Sequence, residues 1–256
     1  MKTAKQRLDL ELMRRGLAST RQKAQGLILS GKVLVDGVRV DKAGSMVGMD
    51  AGIRLTGEEM PYVSRGGLKL KGALVRFGIE PRGFVCIDIG ASTGGFTDCL
   101  LQEGASHVYT VDVGYGIIDE KLRQDGRVTV IERTNVRHMP PDALGDKADL
   151  AVVDVSFISL RLVLGPVSNM LKPGGEIVAL VKPQFEVGKG KVGKGGIVRD
   201  QAERQRVMEE VMEAAKALGL TVHGDMESPI KGAKGNVEYL LYLKTPAGTA
   251  NDRDAG

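Results

Sequence analysis

The length, composition and charge of the chain exclude several classes of protein. Its 256 residues suffice for one large or two small domains, and 42% of them are hydrophobic, so a core can be buried. No apolar run approaches the roughly 18 residues of a membrane-spanning helix, and Met1 is not followed by a signal-peptide block. Two cysteines in apolar segments require no oxidising compartment. We therefore expect a cytoplasmic protein without a membrane partner.

The net charge of +4 is concentrated at the amino-terminal end of the chain. Residues 1–24 contain seven basic and two acidic side chains, a local charge of +5, which leaves the remainder at −1. A concentrated basic end on a nearly neutral body indicates contact with a polyanion. A solvated charged face is the alternative interpretation.

The first 57 residues predict a small α+β module. Apolar positions predict a helix over 7–15 and a second helix over 19–30 that begins with a capping box at Ser19. The alternating segment 33–40 surrounds an Asp-Gly pair, which predicts a β-hairpin. The module can bury little core, so we expect it to be an appended domain.

Residues 64–246 alternate between helix and strand patterns after a linker over 58–63. A helix over 63–77, with Ser64 as its N-cap, comes first, and the clearest later helix covers 201–217. Strand patterns cover 84–89, 107–111, 128–131, 150–155, 177–181, 221–225 and 237–243. This alternation predicts a doubly wound α/β fold whose mostly parallel sheet binds ligands at the carboxyl ends of its strands.

The segment from Phe84 to Phe96 joins an apolar strand to a glycine turn and then to a helix. Gly90, Gly94 and Gly95 permit a tight turn and a close approach of backbone N–H groups to a ligand at the helix start. The glycine spacing departs from G-x-G-x-x-G and lacks the lysine of a P-loop, which disfavours a bound pyrophosphate.

Asp112 follows the next apolar strand, 22 residues after Gly90. An acidic group at this distance accepts hydrogen bonds from ribose hydroxyls in dinucleotide-binding folds. The glycine turn and the acid together predict a ribose-bearing cofactor. An ordinary turn that binds nothing is the alternative.

Two further predicted strands end in polar residues. Asp154 interrupts the apolar run 151–155, and Lys182 follows the run 177–181. Because neighbouring parallel strands deliver such residues into one crevice, a carboxylate and an amine would meet beside the cofactor and could orient and deprotonate a substrate. A salt bridge without catalytic purpose is the alternative.

The segment 186–199 mixes five glycines with basic residues, among them Lys189 and Lys191. Such a loop could close over RNA phosphates with its lysines and backbone N–H groups. A flexible connector explains the composition equally well.

If the ribose-bearing cofactor is a methyl donor, the residues near its site favour a hydroxyl group as the acceptor of the methyl group. The Asn-Pro-Pro-Tyr motif of base amino methyltransferases is absent, because residues 154–157 are Asp-Val-Ser-Phe. Cys86 and Cys99 lie away from the strand ends, where a covalent thiol nucleophile would be needed. A hydroxyl acceptor requires only a base and an orienting network, which Lys182 and Asp154 can supply.

The amino-terminal module resembles an S4 RNA-binding domain in segments 7–9, 16–21 and 31–37. The resemblance covers roughly residues 5–55. It implies that basic side chains face RNA, which agrees with the local charge. Those side chains are Arg7, Arg14, Arg15, Arg21 and Lys23.

Nearly the whole chain resembles the TlyA (hemolysin A) family, whose motifs match segments 63–70, 88–97, 112–116, 132–135, 154–160 and 181–186. The family joins an S4 domain, here 1–57, to an FtsJ-like domain with a Rossmann-like class I methyltransferase sheet, here 64–246, and a polar tail covers 247–256. It uses S-adenosylmethionine to methylate ribose 2′-hydroxyls of ribosomal RNA. The implied target is a cytidine of 23S RNA, with 16S RNA as a second candidate.

The resemblance also implies a set of functional residues. The catalytic residues would be Lys69, Asp154, Lys182 and Glu238. From the residues themselves we expect Lys182 to be the general base, and we expect no metal because the sequence offers no clustered His or Cys ligands. The cofactor would contact Gly90, Ala91, Ser92, Thr93, Gly94, Gly95, Phe96, Asp112, Val113, Glu132, Asn135 and Asp154. Further RNA contacts would come from Arg65, Arg133, Lys189 and Lys191.

Two other functions remain as alternatives. The first is an S4-type RNA-binding protein whose methyltransferase fold binds cofactor without turnover, although all four implied catalytic residue types are present. The second is membrane lysis, which the family name suggests. The chain offers neither a spanning segment nor a Trp-bearing amphipathic helix for it.

Overall fold

The computed structural model describes residues 4–18, 20–56, 60–188, 192–193 and 195–248. They fall into two compact units, within residues 1–59 and within 60–256. Every helix in the described ranges is either too short or too polar to cross a bilayer.

The first unit packs two helices against short strands. Its buried residues Leu8, Leu12, Ala24, Ile28, Val33 and Val47 form a small core of their own. The elements are β1 Lys5–Arg7, α1 Leu8–Arg14, α2 Arg21–Leu29, β2 Val33–Val35, β3 Val38–Arg39, β4 Met46–Gly48 and β5 Ile53–Leu55. Strand β2 pairs with β3 and β5, and β1 pairs with β4, all antiparallel.

The predicted hairpin is present, and both helix starts differ from the prediction. Asp36 and Gly37 adopt φ values of 49° and 82° between β2 and β3, as a tight hairpin turn requires. Helix α1 begins one residue late because Arg7 belongs to β1. The Thr20 hydroxyl caps α2 by accepting from the Lys23 N–H at 3.2 Å, whereas Ser19 lies outside the described residues.

The second unit is built on a seven-stranded sheet. Its strands are β6 Val85–Ile89, β7 His107–Val111, β8 Val128–Ile131, β9 Ala148–Val153, β10 Leu171–Val181, β11 Thr221–Glu227 and β12 Tyr239–Lys244. Its helices are α3 Gly66–Phe77, α4 Gly95–Gln102, α5 Glu120–Arg123, α6 Leu164–Ser168, α7 Pro183–Glu186 and α8 Gln201–Ala217. Helix α3 starts later than predicted, and Ser64 is not its N-cap, because Arg65 takes that position without a side-chain cap.

The strand order β11-β12-β10-β9-β6-β7-β8 confirms the predicted α/β fold. Strands β10, β9, β6, β7 and β8 run parallel, and β12 runs antiparallel to both of its neighbours, β10 and β11. The chain moves outward from β6 through β7 to β8 and then returns to β9 on the other side. The crevice between β6 and β9 is therefore the switch point at which such sheets bind ligands.

Alternate side chains of each strand bury against opposite helical layers. On β10, Ile177, Ala179 and Val181 pack into the cluster that includes residues of α6 and α8, whereas Val178 and Leu180 pack towards α3 and α4. The period of two residues explains why these strands are apolar throughout, because both faces of the sheet are covered.

The strand registers bring the polar strand ends to one edge of the sheet. Ile89 pairs with Val111 on one side and with Val153 on the other, and Val181 pairs with Tyr239. The residues that follow the parallel strands, Gly90, Asp112, Asp154 and Lys182, therefore emerge together. Glu238 joins them from the start of β12, because that strand runs in the opposite direction.

Candidate active site

A cavity of about 410 Å³ lies at the switch point of the sheet. Gly90 lines it with φ of 80°, and a Cβ atom there would lie 2.6 Å from the Asp154 carbonyl oxygen. Only glycine fits this turn, because any side chain would be strained and would overlap the neighbouring loop. The lining includes Ile89, Gly90, Ser92, Val111, Asp112, Val113, Ile117, Thr134, Asn135, Val136, Asp154, Val155, Ser156, Phe157, Ile158 and Val163.

The Asp112 carboxylate is fixed in this cavity by backbone donors. Its Oδ2 accepts from the Ser92 N–H at 2.8 Å, and its Oδ1 accepts from the Gly114 N–H at 2.7 Å. Each carboxylate oxygen retains a second lone pair. Asp112 can therefore accept hydrogen bonds from a hydroxyl-bearing ligand without losing its own support.

A second cavity, of about 270 Å³, lies next to the first and shares Gly90, Ser92 and Asp154 with it. The start of α3, the glycine turn and the loop before β12 enclose it. The lining residues are Ser64, Arg65, Gly66, Lys69, Asp88, Gly90, Ala91, Ser92, Thr93, Gly95, Phe96, Asp154, Gly232 and Ala233.

Asp88 on β6 is a site residue that the sequence prediction missed. Its Oδ2 accepts from the Thr97 N–H at 2.9 Å and from the Thr97 hydroxyl at 2.6 Å, while its fully buried Oδ1 has no hydrogen-bond partner. Burial raises the pKa of Asp88 to about 7. A carboxylate in the middle of an otherwise apolar buried strand was the available signal, because such a group needs a partner.

The four implied catalytic residues form two close pairs, which we call the tetrad. Lys69 Nζ lies 2.6 Å from Glu238 Oε2, and Lys182 Nζ lies 2.5 Å from Asp154 Oδ1. Lys182 Nζ also donates to Ser156 Oγ at 2.9 Å. Since Lys69 and Asp154 line the same cavity, both pairs border it.

Gly232 makes room for the Glu238 carboxylate. A Cβ atom at Gly232 would overlap both carboxylate oxygens, and Glu238 is only 2% exposed. The Glu238 backbone carbonyl also accepts from the Ser228 N–H at 2.8 Å. The loop before β12 is thus shaped around a buried acid, which contacts Lys69 of α3.

Comparisons with known proteins place the chain in a family. The FtsJ-like methyltransferase model matches residues 62–245, and the S4 domain model matches residues 6–53. The Mycobacterium tuberculosis protein TlyA, named as a 16S/23S rRNA (cytidine-2′-O)-methyltransferase, is 49% identical over 93% of this chain and 90% of its own length. The chain belongs to the TlyA family.

Other relatives agree with this assignment. Hemolysin A of Brachyspira hyodysenteriae is 41% identical over 93% of this chain and 99% of its own. A solved Streptococcus thermophilus protein, provisionally named a hemolysin, superposes with a TM-score of 0.75 at 43% identity and covers 96% of this chain and 91% of its own. The N-methyltransferase NodS of Bradyrhizobium japonicum, with a TM-score of 0.51 at 17% identity over 72% of this chain and 98% of its own, shares the fold alone.

Within the FtsJ-like domain, Glu132 occupies a different place from the other predicted cofactor residues. Its carboxylate accepts from the Gly116 N–H at 2.7 Å and from Arg123 Nη2 at 2.5 Å, and the Arg123 guanidinium lowers its pKa. Glu132 lines neither cavity of the site. Gly94, which also lines neither cavity, begins α4 with φ of 92°. Glu132 instead borders a small neighbouring pocket with Ser92 and Asp112. The cofactor contacts of Glu132 and Gly94 stay predictions.

The predicted RNA-binding residues fall in both domains. In the FtsJ-like domain, Arg65 lines the smaller cavity, and the Arg133 guanidinium lies 4.2 Å from the centre of the Tyr115 ring. Lys189 and Lys191 lie outside the described residues. In the S4 domain, Arg7 and Arg21 contact Asp9, Arg14 and Arg15 contact Glu11, and Lys23 is exposed.

No group of three or more His, Cys, Asp or Glu side chains in the described part of the chain is arranged to hold a metal ion.

Burial of Asp88 generates a prediction about stability. Because the pKa of Asp88 is raised in the fold, the free energy of unfolding falls as the pH rises from about 4, the pKa of the unfolded chain, to about 7. Above pH 7 the free energy of unfolding stays at that lower level. In Asp88→Asn we expect a higher melting temperature at pH 8, by about 2–4 °C for each kcal/mol relieved, and a gain that shrinks towards pH 4. Thermal unfolding followed by circular dichroism across this range measures it.

The exposed residue Asp146 provides the matched control. Asp146→Asn removes the same charge without relieving burial, so its melting temperature should follow that of the wild type at every pH. A melting temperature of Asp88→Asn at or below the wild-type value at pH 8 would show that the burial of this carboxylate does not limit stability.

Proposed function

We propose that this protein transfers a methyl group from S-adenosylmethionine to the 2′-hydroxyl of a cytidine in ribosomal RNA. The observation that carries the proposal is the pair of lysine–carboxylate contacts, Lys182 with Asp154 and Lys69 with Glu238, beside the cavities at the switch point. The activity named for the M. tuberculosis relative supports the acceptor. We propose 23S RNA as the first substrate, 16S RNA as the second, and the cytoplasm as the place of action.

The residues around the two cavities fit S-adenosylmethionine. The 410 Å³ cavity is within the usual size range of cofactor sites, and Asp112 would accept from the ribose hydroxyls there. The unpartnered Asp88 Oδ1 would accept from the ammonium group of the methionine part, and the turn from Gly90 to Gly95 would hold its carboxylate at the start of α4. The cofactor supplies a methyl group activated by a sulfonium.

The tetrad would prepare the acceptor. A ribose hydroxyl is a weak acid, so a positioned base must take its proton as the oxygen becomes methylated. Lys182 would accept that proton at Nζ. Asp154 and Ser156 fix the direction of Nζ, and Glu238 holds Lys69 at the cavity.

The cofactor assignment predicts the behaviour of an Asp112 variant. Asp112→Ala should weaken S-adenosylmethionine binding by roughly 1–3 kcal/mol, about 5- to 150-fold, because hydrogen bonds to a charged acceptor are lost. Isothermal titration calorimetry measures the affinity, and Asp146→Ala, at an exposed site, should bind normally. Unchanged affinity in Asp112→Ala, with a loss in Glu132→Ala, would assign the ribose contact to Glu132 instead.

The base assignment predicts that Lys182→Met folds and binds cofactor but transfers methyl groups about 10²–10⁴-fold more slowly. Lys182→Arg should fail nearly as badly, since a guanidinium stays protonated and cannot accept the hydroxyl proton. The assay is single-turnover transfer of labelled methyl groups to 23S RNA, with nucleoside mass spectrometry to identify 2′-O-methylcytidine. Lys147→Met, at an exposed lysine, is the control and should retain the full rate.

The same assay distinguishes the other possibilities. A near-normal rate in Lys182→Arg would make Lys182 a cation that positions the target, and another group would have to be the base. If the wild-type protein binds RNA and cofactor but forms no methylated ribose in the free RNA or in ribosomal subunits, the protein is instead a catalytically silent RNA-binding member of the fold.

A further inference from the structure

Asp9 is a fully buried carboxylate at the start of α1 that holds two arginines from different elements. Arg7 of β1 donates from Nε to Oδ1 at 3.0 Å and from Nη2 to Oδ2 at 2.9 Å. Arg21 of α2 donates from Nε to Oδ2 at 3.0 Å, and Gln25 Nε2 donates to the same oxygen at 3.2 Å. Hydrogen bonds from these side chains, led by Arg7, lower the pKa of Asp9 well below its usual range.

Both arginines keep donors for a ligand. The Arg7 and Arg21 side chains are 41% and 53% exposed. Each guanidinium has five N–H donors, and the contacts to Asp9 use two of them on Arg7 and one on Arg21. One buried carboxylate thus fixes two partly exposed guanidinium groups next to each other.

Glu11 holds a second pair of arginines, one of which is also bound by backbone carbonyls of the same domain. It lies roughly 200° around the helix from Asp9 and is fully buried. It binds Arg14 through Nε and Nη2 at 2.8 and 2.5 Å and Arg15 through Nε at 2.6 Å. Arg15 also donates to the carbonyls of Ala51 at 2.7 Å and Met49 at 2.8 Å. Arg15 is therefore committed to holding α1 against the 49–51 segment.

We propose that Asp9 is a positioning residue for RNA, which presents Arg7 and Arg21 as one preorganised site for backbone phosphates. The inference rests on the proposed function. Two guanidinium groups repel each other at close range, and the shared carboxylate offsets that repulsion. It also fixes their rotamers before binding, so less conformational entropy is lost when phosphates are contacted. On this account Arg15, although equally basic, is structural.

The proposal and simple electrostatics predict opposite signs for Asp9→Asn. This substitution raises the charge of the S4 domain by one unit, which by itself would strengthen RNA binding. If Asp9 positions the arginines, binding should instead weaken by about tenfold, the loss of one charged hydrogen-bond network. The control is Asp41→Asn, an exposed acid in the same domain, which makes the same charge change and should bind at least as tightly as the wild type.

A second variant keeps the charge and leaves Asp9 in place. The double variant Arg7→Lys, Arg21→Lys retains both positive charges but loses the planar forks that Asp9 holds. Its affinity should also fall by about tenfold. If Asp9→Asn unfolds the S4 domain in thermal unfolding, this double variant decides the question.

The measurement is the affinity of the full-length protein for transcribed 23S RNA, titrated by fluorescence at several salt concentrations. A reference variant, Arg7→Ala with Arg21→Ala, should lose affinity and salt dependence. If the reference variant binds like the wild type, this surface does not contact RNA, and that part of the proposed function is wrong. If the reference variant is weakened while folded Asp9→Asn and the lysine variant bind as tightly as the wild type, the positioning role of Asp9 is overturned.

Discussion

The antiparallel direction of β12 is the constraint on which the tetrad depends. Glu238 precedes β12, and the pairing of Tyr239 with Val181 brings it to the edge where β10 ends and Lys182 begins. If β12 ran parallel, its start would lie at the opposite edge, about 20 Å away for a strand of this length. Because Glu238 in turn binds Lys69, the same strand direction also determines where α3 contributes its lysine to the cavity.

Several buried charges in this protein are costly to the fold and useful to a ligand. Asp88 has an oxygen without a partner, and burial raises its pKa to about 7. Glu238 and Asp9 are also buried, but each is compensated by lysine or arginine. A buried acid that is paired with a lysine or an arginine orients that cation. A buried acid oxygen without a partner can accept a hydrogen bond from a donor on a ligand.

Much of the fold and part of the site could be predicted from the sequence. Parallel strands deliver the residues that follow them to one crevice, so Gly90, Asp112, Asp154 and Lys182 could be placed there from strand patterns alone. The position of Glu238 could not, since a residue that precedes a strand normally lies at the other edge. Only the resemblance to the TlyA family indicated Glu238. The antiparallel pairing of β12 explains its position at this edge of the sheet.

The other differences have local physical causes. Asp88 was not predicted as a site residue because it lies inside its strand and not at the strand's end. Gly116 and Arg123 both donate to Oε1 of Glu132, and the predicted contact of Glu132 with the cofactor stays a prediction. The charge of residues 1–24 grouped Arg15 with the other basic side chains. Its contacts to two backbone carbonyls depend on a turn more than 30 residues away in sequence. Residue patterns alone do not encode contacts between residues that are distant in sequence.

A map of 2′-O-methylation in cells tests directly whether this chain methylates ribose in ribosomal RNA, as we propose. Ribosomal RNA from cells that lack the gene should have lost methylation at one or more cytidines, with 23S RNA affected first, and restoring the gene should return it. Identical ribose methylation maps with and without the gene, in both 23S and 16S RNA, would show that the protein does not methylate ribosomal ribose.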